Sequence, residues 1–267
     1  MSDFVFFFRE DEDYGCFSNF YPCEFEYAGQ HYTSSEQFMM AQKALAFWDI
    51  EMVNRIHETN DPKEAKALGK KVKNYDDAVW SAIRPQIVRR GVRAKFQQNE
   101  DLRKILLETG DRILVEASPY DDLWGIKMAA GNAQIEDPSN WKGQNLLGKV
   151  LMRVRADLRT WLQSGDIRYS AANELELKYK AGSIWDMPIK AVLQNPIAYE
   201  IVYPYILCAE YITKKHMPSF DFIRRCGDAT LDGLNFDMAT NMGGGLPCCG
   251  FYEMYQDMFD AVRFGCI

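Results

Sequence analysis

Histidine is scarce in this 267-residue chain, which contains three, and its seven cysteines (Cys16, Cys23, Cys208, Cys226, Cys248, Cys249 and Cys266) include no Cys-x-x-Cys pair. Zinc sites are built from closely spaced Cys and His ligands. The scarcity therefore argues against a metal centre, and no metal or other cofactor is expected. An odd number of scattered thiols with no export signal points away from a disulfide framework and toward a reducing cytoplasm. Long hydrophobic runs are also lacking. The Phe4-Val5-Phe6-Phe7-Phe8 run gives way to Arg9-Glu10-Asp11-Glu12-Asp13, so it is too short for a signal peptide or a bilayer span. It reads as a buried strand, and no membrane partner is expected. Positive charge is outnumbered, with 31 Lys and Arg against 38 Asp and Glu and a net charge of −7. That balance argues against a general nucleic-acid coat protein, whose affinity comes from cations meeting phosphates.

What is present is enough apolar material, 47% of residues, to bury a full core in one large domain or one domain plus an appendage. Charge is not evenly spread. Between Lys63 and Lys104 there are twelve Lys or Arg against five Asp or Glu. This is either a solvated helix face or a surface suited to phosphates.

The periodicity predicts a mainly helical fold with small β elements. Thr33-Ser34-Ser35-Glu36 has the spacing of a capping box and opens a helix to about Trp48, with Phe38, Ala41 and Leu45 inward. Asp61-Pro62-Lys63-Glu64 is a second helix start. A third helix begins near Asp76 with Val79, Trp80 and Ile83 inward, and Pro85 is expected to kink or restart it before Ile87, Val88, Val92 and Phe96. Residues Glu100 to Thr109 form a shorter helix that Gly110 ends. Ile113 to Glu116 reads as a strand, followed by turn chemistry at Ser118-Pro119-Tyr120-Asp121. A last helix from about Asn145 to Leu162 buries Leu147, Val150, Leu151, Val154, Leu158 and Trp161, and Gly165 stops it. Residues 166–267 form a C-terminal extension of α+β character: a strand-like run at Leu175 to Tyr179, an apolar stretch from Ile197 to Ile212, and a glycine turn at Gly243-Gly244-Gly245.

Four segments carry the chemistry. Glu36 and Lys43, seven apart on one helix, project from the same face and can line one pocket; Glu36 could equally serve only as a capping residue, and Lys43 as a surface lysine. Glu116 ends a buried strand, where a carboxylate must meet a cation or titrate at a raised pKa. Asp121 and Trp124 follow on a turn, with Gly125 permitting close backbone approach. The indole is either core packing or a platform for a planar base, beside a carboxylate that grips ribose hydroxyls. Ser18 and Asn19, in Phe17-Ser18-Asn19-Phe20-Tyr21-Pro22, supply hydrogen bonds or an Asx turn, and Gly143 and Asn145 do the same or cap the last helix.

Those segments, Phe17 to Pro22, Glu36 to Lys43, Glu116 to Gly125 and Gly143 to Arg155, resemble the NADAR (YbiA-like) family patterns FSNFYP, T-x-E-x-x-x-x-A-x-K, E-x-S-P-x-D-x-x-W-G and G-x-N-x-L-G-x-x-L-M-x-V-R. The resemblance implies a multi-helical glycohydrolase domain over residues 1–165. It implies Glu36, Lys43, Glu116 and Asp121 as catalytic residues, and Ser18, Asn19, Trp124, Gly125, Gly143 and Asn145 as substrate-binding ones. Cleaving an N-glycosidic bond needs stabilised positive charge at the anomeric carbon, a proton for the departing nitrogen and a nucleophile. An exocyclic-amine glycoside also opens to an imine, with which a lysine can exchange. The expected activity is removal of ADP-ribose from guanine in DNA, with ADP-ribosylated DNA as partner and an antitoxin role beside a DNA ADP-ribosyltransferase. The alternatives are hydrolysis of ribosylamine phosphates of riboflavin synthesis and a non-catalytic ADP-ribose reader.

Overall fold

The computed structural model describes residues 2–27, 29–47 and 49–164. The expectations for Leu175 to Tyr179, Ile197 to Ile212 and Gly243 to Gly245, and the stop at Gly165, lie outside them, as do Trp48 and the side chain of Trp161. Six α-helices and four short strands occur among the described residues, so the fold is mainly α with small β elements. The chain divides into two compact units, the first comprising residues 1–44, 50–72 and 84–167, the second residues 45–49, 73–83 and 168–267. Of the second, Lys73 N–H donates to Asp49 Oδ2 at 2.8 Å, and the rings of Phe47 and Tyr75 meet edge-on at 5.4 Å.

The first unit is organised by a parallel pair of strands, β1 (Phe4–Phe7) and β4 (Ile113–Glu116), in the register Phe4 to Ile113 through Phe7 to Glu116. Val5, Phe7, Leu114 and Val115 are buried, which accounts for the apolar sequence of both segments. Because the strands are parallel, Phe8 and Arg9 leave β1 at the same end where Glu116 closes β4. Ligand sites in parallel sheets sit at that end. A separate antiparallel hairpin, β2 (Phe25–Tyr27) and β3 (Gln30–Tyr32), was not foreseen. It turns at Gly29 with φ +75°, and Phe25 and Tyr32 pack on Phe38.

Helix α1 (Ser35–Ala46) follows the hairpin. Its cap corrects the expected Thr33–Glu36 box: Ser34 Oγ accepts from Gln37 N–H at 3.1 Å, and Gln37 Oε1 accepts from Thr33 N–H at 2.8 Å. The glutamine one position on takes the reciprocal role, so the Glu36 carboxyl is released from capping. Phe38 and Ala41 are buried as expected, whereas Leu45 is half-buried.

Helix α2 (Ile50–His57) buries Met52, Val53 and Ile56 and was not anticipated. In α3 (Pro62–Gly69), Asp61 caps by accepting from Lys63 N–H at 2.8 Å. Of the kink or restart expected at Pro85, the structure excludes the restart, since α4 (Asp77–Gln98) runs through it as one helix. Proline removes one ladder donor, and the remaining bonds of a long helix carry it past that loss. Helix α5 (Glu100–Glu108) is followed by Gly110 at φ +61°.

Helix α6 (Leu146–Ser164) begins one residue after Asn145, which adopts φ +52°, and it buries Leu147, Val150, Leu151, Val154 and Leu158. Asn145 links helix to strand: its Nδ2 donates to Leu114 O at 2.9 Å, and its Oδ1 accepts from Glu116 N–H at 3.0 Å. No helix among the described residues is long and apolar enough to cross a membrane.

Candidate active site

A cavity of about 340 Å³ opens at the carboxyl ends of β1 and β4 and is lined in part by Ser18, Phe20, Lys66, Glu116, Ser118 and Asp121. Three features of the chain converge there. Backbone pairing places Glu116 opposite Phe7. The Phe17 to Pro22 segment is joined to the start of α1 by a bond from Glu36 N–H to Asn19 O at 2.9 Å. The turn after β4 is fixed by its own side chains: Ser118 Oγ accepts from Asp121 N–H at 3.2 Å, and Asp121 Oδ1 accepts from Leu123 and Trp124 N–H at 2.8 and 2.7 Å.

The electrostatics bind the carboxyls into one group. Burial pushes Glu36 up to about 7, opposed by the charge of Lys66, reinforced by Asp121 and opposed again by Lys43. Burial likewise pushes Glu116 up to about 8, with Asp121 and Glu36 reinforcing and Lys66 opposing. Glu36 Oε1 and Glu116 Oε2 are buried without a protein hydrogen-bond partner. Buried carboxyls left unsatisfied are costly and are retained where they act on something else. Two groups that titrate near neutrality and feel one another behave as a coupled pair, and together they can hold or release a proton at working pH.

The structure thus brings Glu36, Glu116 and Asp121 into mutual electrostatic range, with Lys43 acting on Glu36 and not lining the cavity, and places Ser18 on the cavity wall. Asn19 is buried beside Glu36 and leaves its Oδ1 unpartnered. The remaining expected binding residues do different work. Trp124 is half-buried and is not among the residues lining the cavity; its carbonyl accepts from Leu147 N–H at 3.1 Å, tying the turn to α6. Gly125 and Gly143 are close-approach positions: a Cβ at Gly125 would lie 2.9 Å from Glu116 O, and one at Gly143 would collide with Gly125 O. The side chain of Asn145 is spent on the β4 backbone.

Lys66 was missed by residue-level reading, although it lies in the basic Lys63 to Lys104 stretch. It lines the cavity, sits 5.1 Å from the centroid of the Phe20 ring, and is the foremost cation acting on both glutamates. Phe8, Arg9 and Tyr120 also line the cavity without having been singled out. No group of three or more His, Cys, Asp or Glu residues suited to a metal ion occurs among the described residues.

Comparison with known proteins places this arrangement. The model of the NADAR domain matches residues 6–159. An N-glycosidase of Acanthamoeba polyphaga mimivirus is 44% identical over 146 residues, covering 53% of this chain and 86% of that protein. A riboflavin biosynthesis protein of Vibrio vulnificus is 34% identical over 159 residues, covering 60% of this chain and 40% of that protein. The NMR structure of the E. coli protein YbiA superposes with a TM-score of 0.52 at 29% identity, covering 64% of this chain and 94% of that one. With more than half of its length matched, this chain belongs to the NADAR domain family.

Proposed function

We propose that this protein is an N-glycosidase that hydrolyses the bond between a phosphorylated ribose and the exocyclic nitrogen of an aminopyrimidinone ring. The observation that carries the reading is the pair of buried carboxyls, Glu36 and Glu116, raised to about 7 and about 8 beside Asp121 and Lys66. The relative from Acanthamoeba polyphaga mimivirus, which is called an N-glycosidase, supports it.

In this reading Glu116 remains protonated at neutral pH and gives its proton to the departing nitrogen. Asp121 and ionised Glu36 stabilise the positive charge that develops at the anomeric carbon. Ionised Glu36 takes the ammonium proton of Lys43, whose free amine then attacks the ring-opened imine; the base amine leaves with the proton from Glu116, and water releases the sugar from the lysine Schiff base. Every step uses side chains and water.

Two substrates share this chemistry. A cavity of about 340 Å³ is near the small end of ligand pockets, roughly 300–1,000 Å³, which suits a ribosylamine phosphate, and the riboflavin biosynthesis relative supports that choice. ADP-ribosylated guanine in DNA is favoured by the cations Arg9 and Lys66 on the cavity wall, with Lys66 in the basic stretch. Incubating the full chain separately with ADP-ribosylated guanine DNA and with a ribosylaminopyrimidine phosphate, and measuring the released base by mass spectrometry, tests the proposal. Release of a base from one substrate, lost in Glu116→Gln, is expected. A folded protein that releases neither base overturns it.

A further inference from the structure

The cavity wall has two kinds of residue. Ser18, Phe20, Glu116, Ser118 and Asp121 lie at fixed positions of the family motifs. Phe8, Arg9, Glu10, Lys66 and Tyr120 do not: four fall outside every motif, and Tyr120 occupies the open position of the Ser-Pro-x-Asp turn. Motif residues and a second set, outside the fixed motif positions, therefore meet in one pocket.

Tyr120 is the outlier of that set. It is 82% exposed, the largest value among the exposed large hydrophobic residues. A single exposed aromatic ring is ordinary on a protein surface. This one differs in two respects. Its position is imposed, since Ser118 Oγ accepts from Tyr120 N–H at 3.4 Å and from Asp121 N–H at 3.2 Å, so the backbone on both sides of the peptide is held by one hydroxyl. It also has a ring neighbour: Phe8, the first residue beyond β1, lies 6.4 Å away between centroids at a tilt of 51°. The two rings splay apart at the mouth of a cavity whose wall carries Glu116 and Asp121.

We propose that Tyr120, with Phe8 at its edge, is the platform on which the departing nucleobase stacks, and that it thereby sets which leaving groups this protein accepts. The inference rests on the N-glycosidase reading. Its logic is one of reach. The departing nitrogen must lie against Glu116 to receive a proton, and the ring bonded to that nitrogen extends outward along the turn that begins two residues later. Tyr120, four residues after Glu116, offers a planar face on that wall. Stacking on an aromatic face is tolerant of ring identity, because every base offers a π-face. The platform therefore favours planar heterocycles over aliphatic amines. The sugar phosphate is left to the cations on the wall, Arg9 and Lys66.

The test separates the two halves of the substrate. A free diaminopyrimidinone and ribose 5-phosphate are titrated by calorimetry into the wild-type protein and into Tyr120→Ala and Tyr120→Phe, with turnover of the ribosylaminopyrimidine phosphate followed in parallel. Tyr120→Ala is expected to weaken binding of the free base about thirty-fold, the middle of the range that stacking gives. Binding of ribose 5-phosphate and the melting temperature should be unchanged, and Tyr120→Phe should behave as wild type. Equal weakening of both ligands, or none for the base, overturns the platform. A wild-type protein that binds the base through Tyr120 but turns nothing over breaks the N-glycosidase reading instead.

Discussion

Lys95 Nζ donates to the carbonyl of Ser18 at 3.1 Å from a position where only 1% of the residue is exposed. Its ammonium lies 5.3 Å from the Tyr21 ring centroid and 5.4 Å from that of Phe96. Burial pulls its pKa down from the ordinary lysine value, countered by Cys23 and Cys16. Lysine is almost never fully buried without a partner, and here the partner is the backbone of a cavity-lining residue. Lys95 therefore anchors the Phe17 to Pro22 loop from below, while Glu36 N–H anchors it from the side.

Replacing Lys95 by Met keeps the volume and deletes the shorter of the two bonds to the Ser18 carbonyl, leaving the one from Tyr21 N–H at 3.3 Å. A loss of about 1–3 kcal/mol in unfolding free energy is expected, measured by urea denaturation. Catalysis should weaken through KM, because Ser18 lines the cavity. An unchanged denaturation midpoint together with unchanged KM would mean that the bond positions nothing.

The raised pKa values of Glu36 and Glu116 make two pH predictions. For stability, the folded protein keeps protons that the unfolded chain releases near the ordinary glutamate value of 4.5. The contribution is fully present below about 4.5 and is lost as pH rises through about 7 and about 8. The cost in alkaline solution is on the order of 3 kcal/mol per group. Glu116→Gln should accordingly gain stability over wild type as pH increases from 5 to 9, as read by thermal melts across buffers. For activity, one carboxyl must be ionised and the other protonated, so the rate should be bell-shaped with limbs near 7 and 8. A flat profile between pH 6 and 9 would remove these groups from the chemistry.

Much of this was legible in the sequence, for identifiable reasons. Asp61 before Pro62, Gly110 after α5 and the apolar face of α6 are local signals that tertiary contacts left in place. The cap of α1 was misread by one register because Thr33, Ser34, Ser35, Glu36 and Gln37 offer several competing capping pairs. Only packing decides that Gln37 reaches Thr33, and that Glu36 is buried without a part in the cap. Helix α2 lies too close behind α1 for its own start signal to stand out, and the three-residue strands of the hairpin are too short to show alternation. Lys66 was invisible as a site residue because its partners, Glu36 and Glu116, are far away in sequence. Of the two readings of Trp124, packing and platform, the sequence decided neither, and the structure adds that the turn holds its backbone.

Trp124 thus yields a prediction opposite to the one its motif invites. It is half-buried, outside the cavity wall, and joined to Asp121 and Leu147 through its backbone. Trp124→Ala should lower stability by about 2–4 kcal/mol, as expected for truncating a large, partly buried ring. A ligand-induced rise in melting temperature should persist. If stability is retained and that shift is abolished, the indole belongs in the site after all.

Lys43 is the proposed imine-forming residue, and Lys66 is the lysine that lines the cavity. Lys43→Arg keeps the charge but cannot form a Schiff base. It should abolish turnover while leaving ligand binding within about two-fold of wild type, less than about 0.4 kcal/mol. Borohydride reduction during turnover, followed by peptide mapping, should label Lys43. A label on Lys66 would transfer the covalent role to it, and no label with full activity in Lys43→Arg would exclude covalent catalysis.

Lys66 carries the most discriminating prediction, because its charge acts on both members of the carboxyl pair. It opposes the rise of Glu36 and of Glu116. Removing it in Lys66→Gln must let both climb further, so both limbs of the pH–rate profile should move to higher pH together. The cation also faces the space a sugar phosphate would fill, and a hydrogen bond to a charged group is worth about 1.5–3 kcal/mol. KM for a phosphorylated substrate should therefore rise about ten- to a hundred-fold. Lys66→Arg keeps the charge and should restore the pH profile, with KM recovering only as far as the different head group reaches the phosphate. If Lys66 were only a solvated surface lysine, Lys66→Gln would leave both the profile and KM where they were. A shift in the pH limbs without a change in KM would confine Lys66 to tuning the carboxyls and leave the phosphate to Arg9.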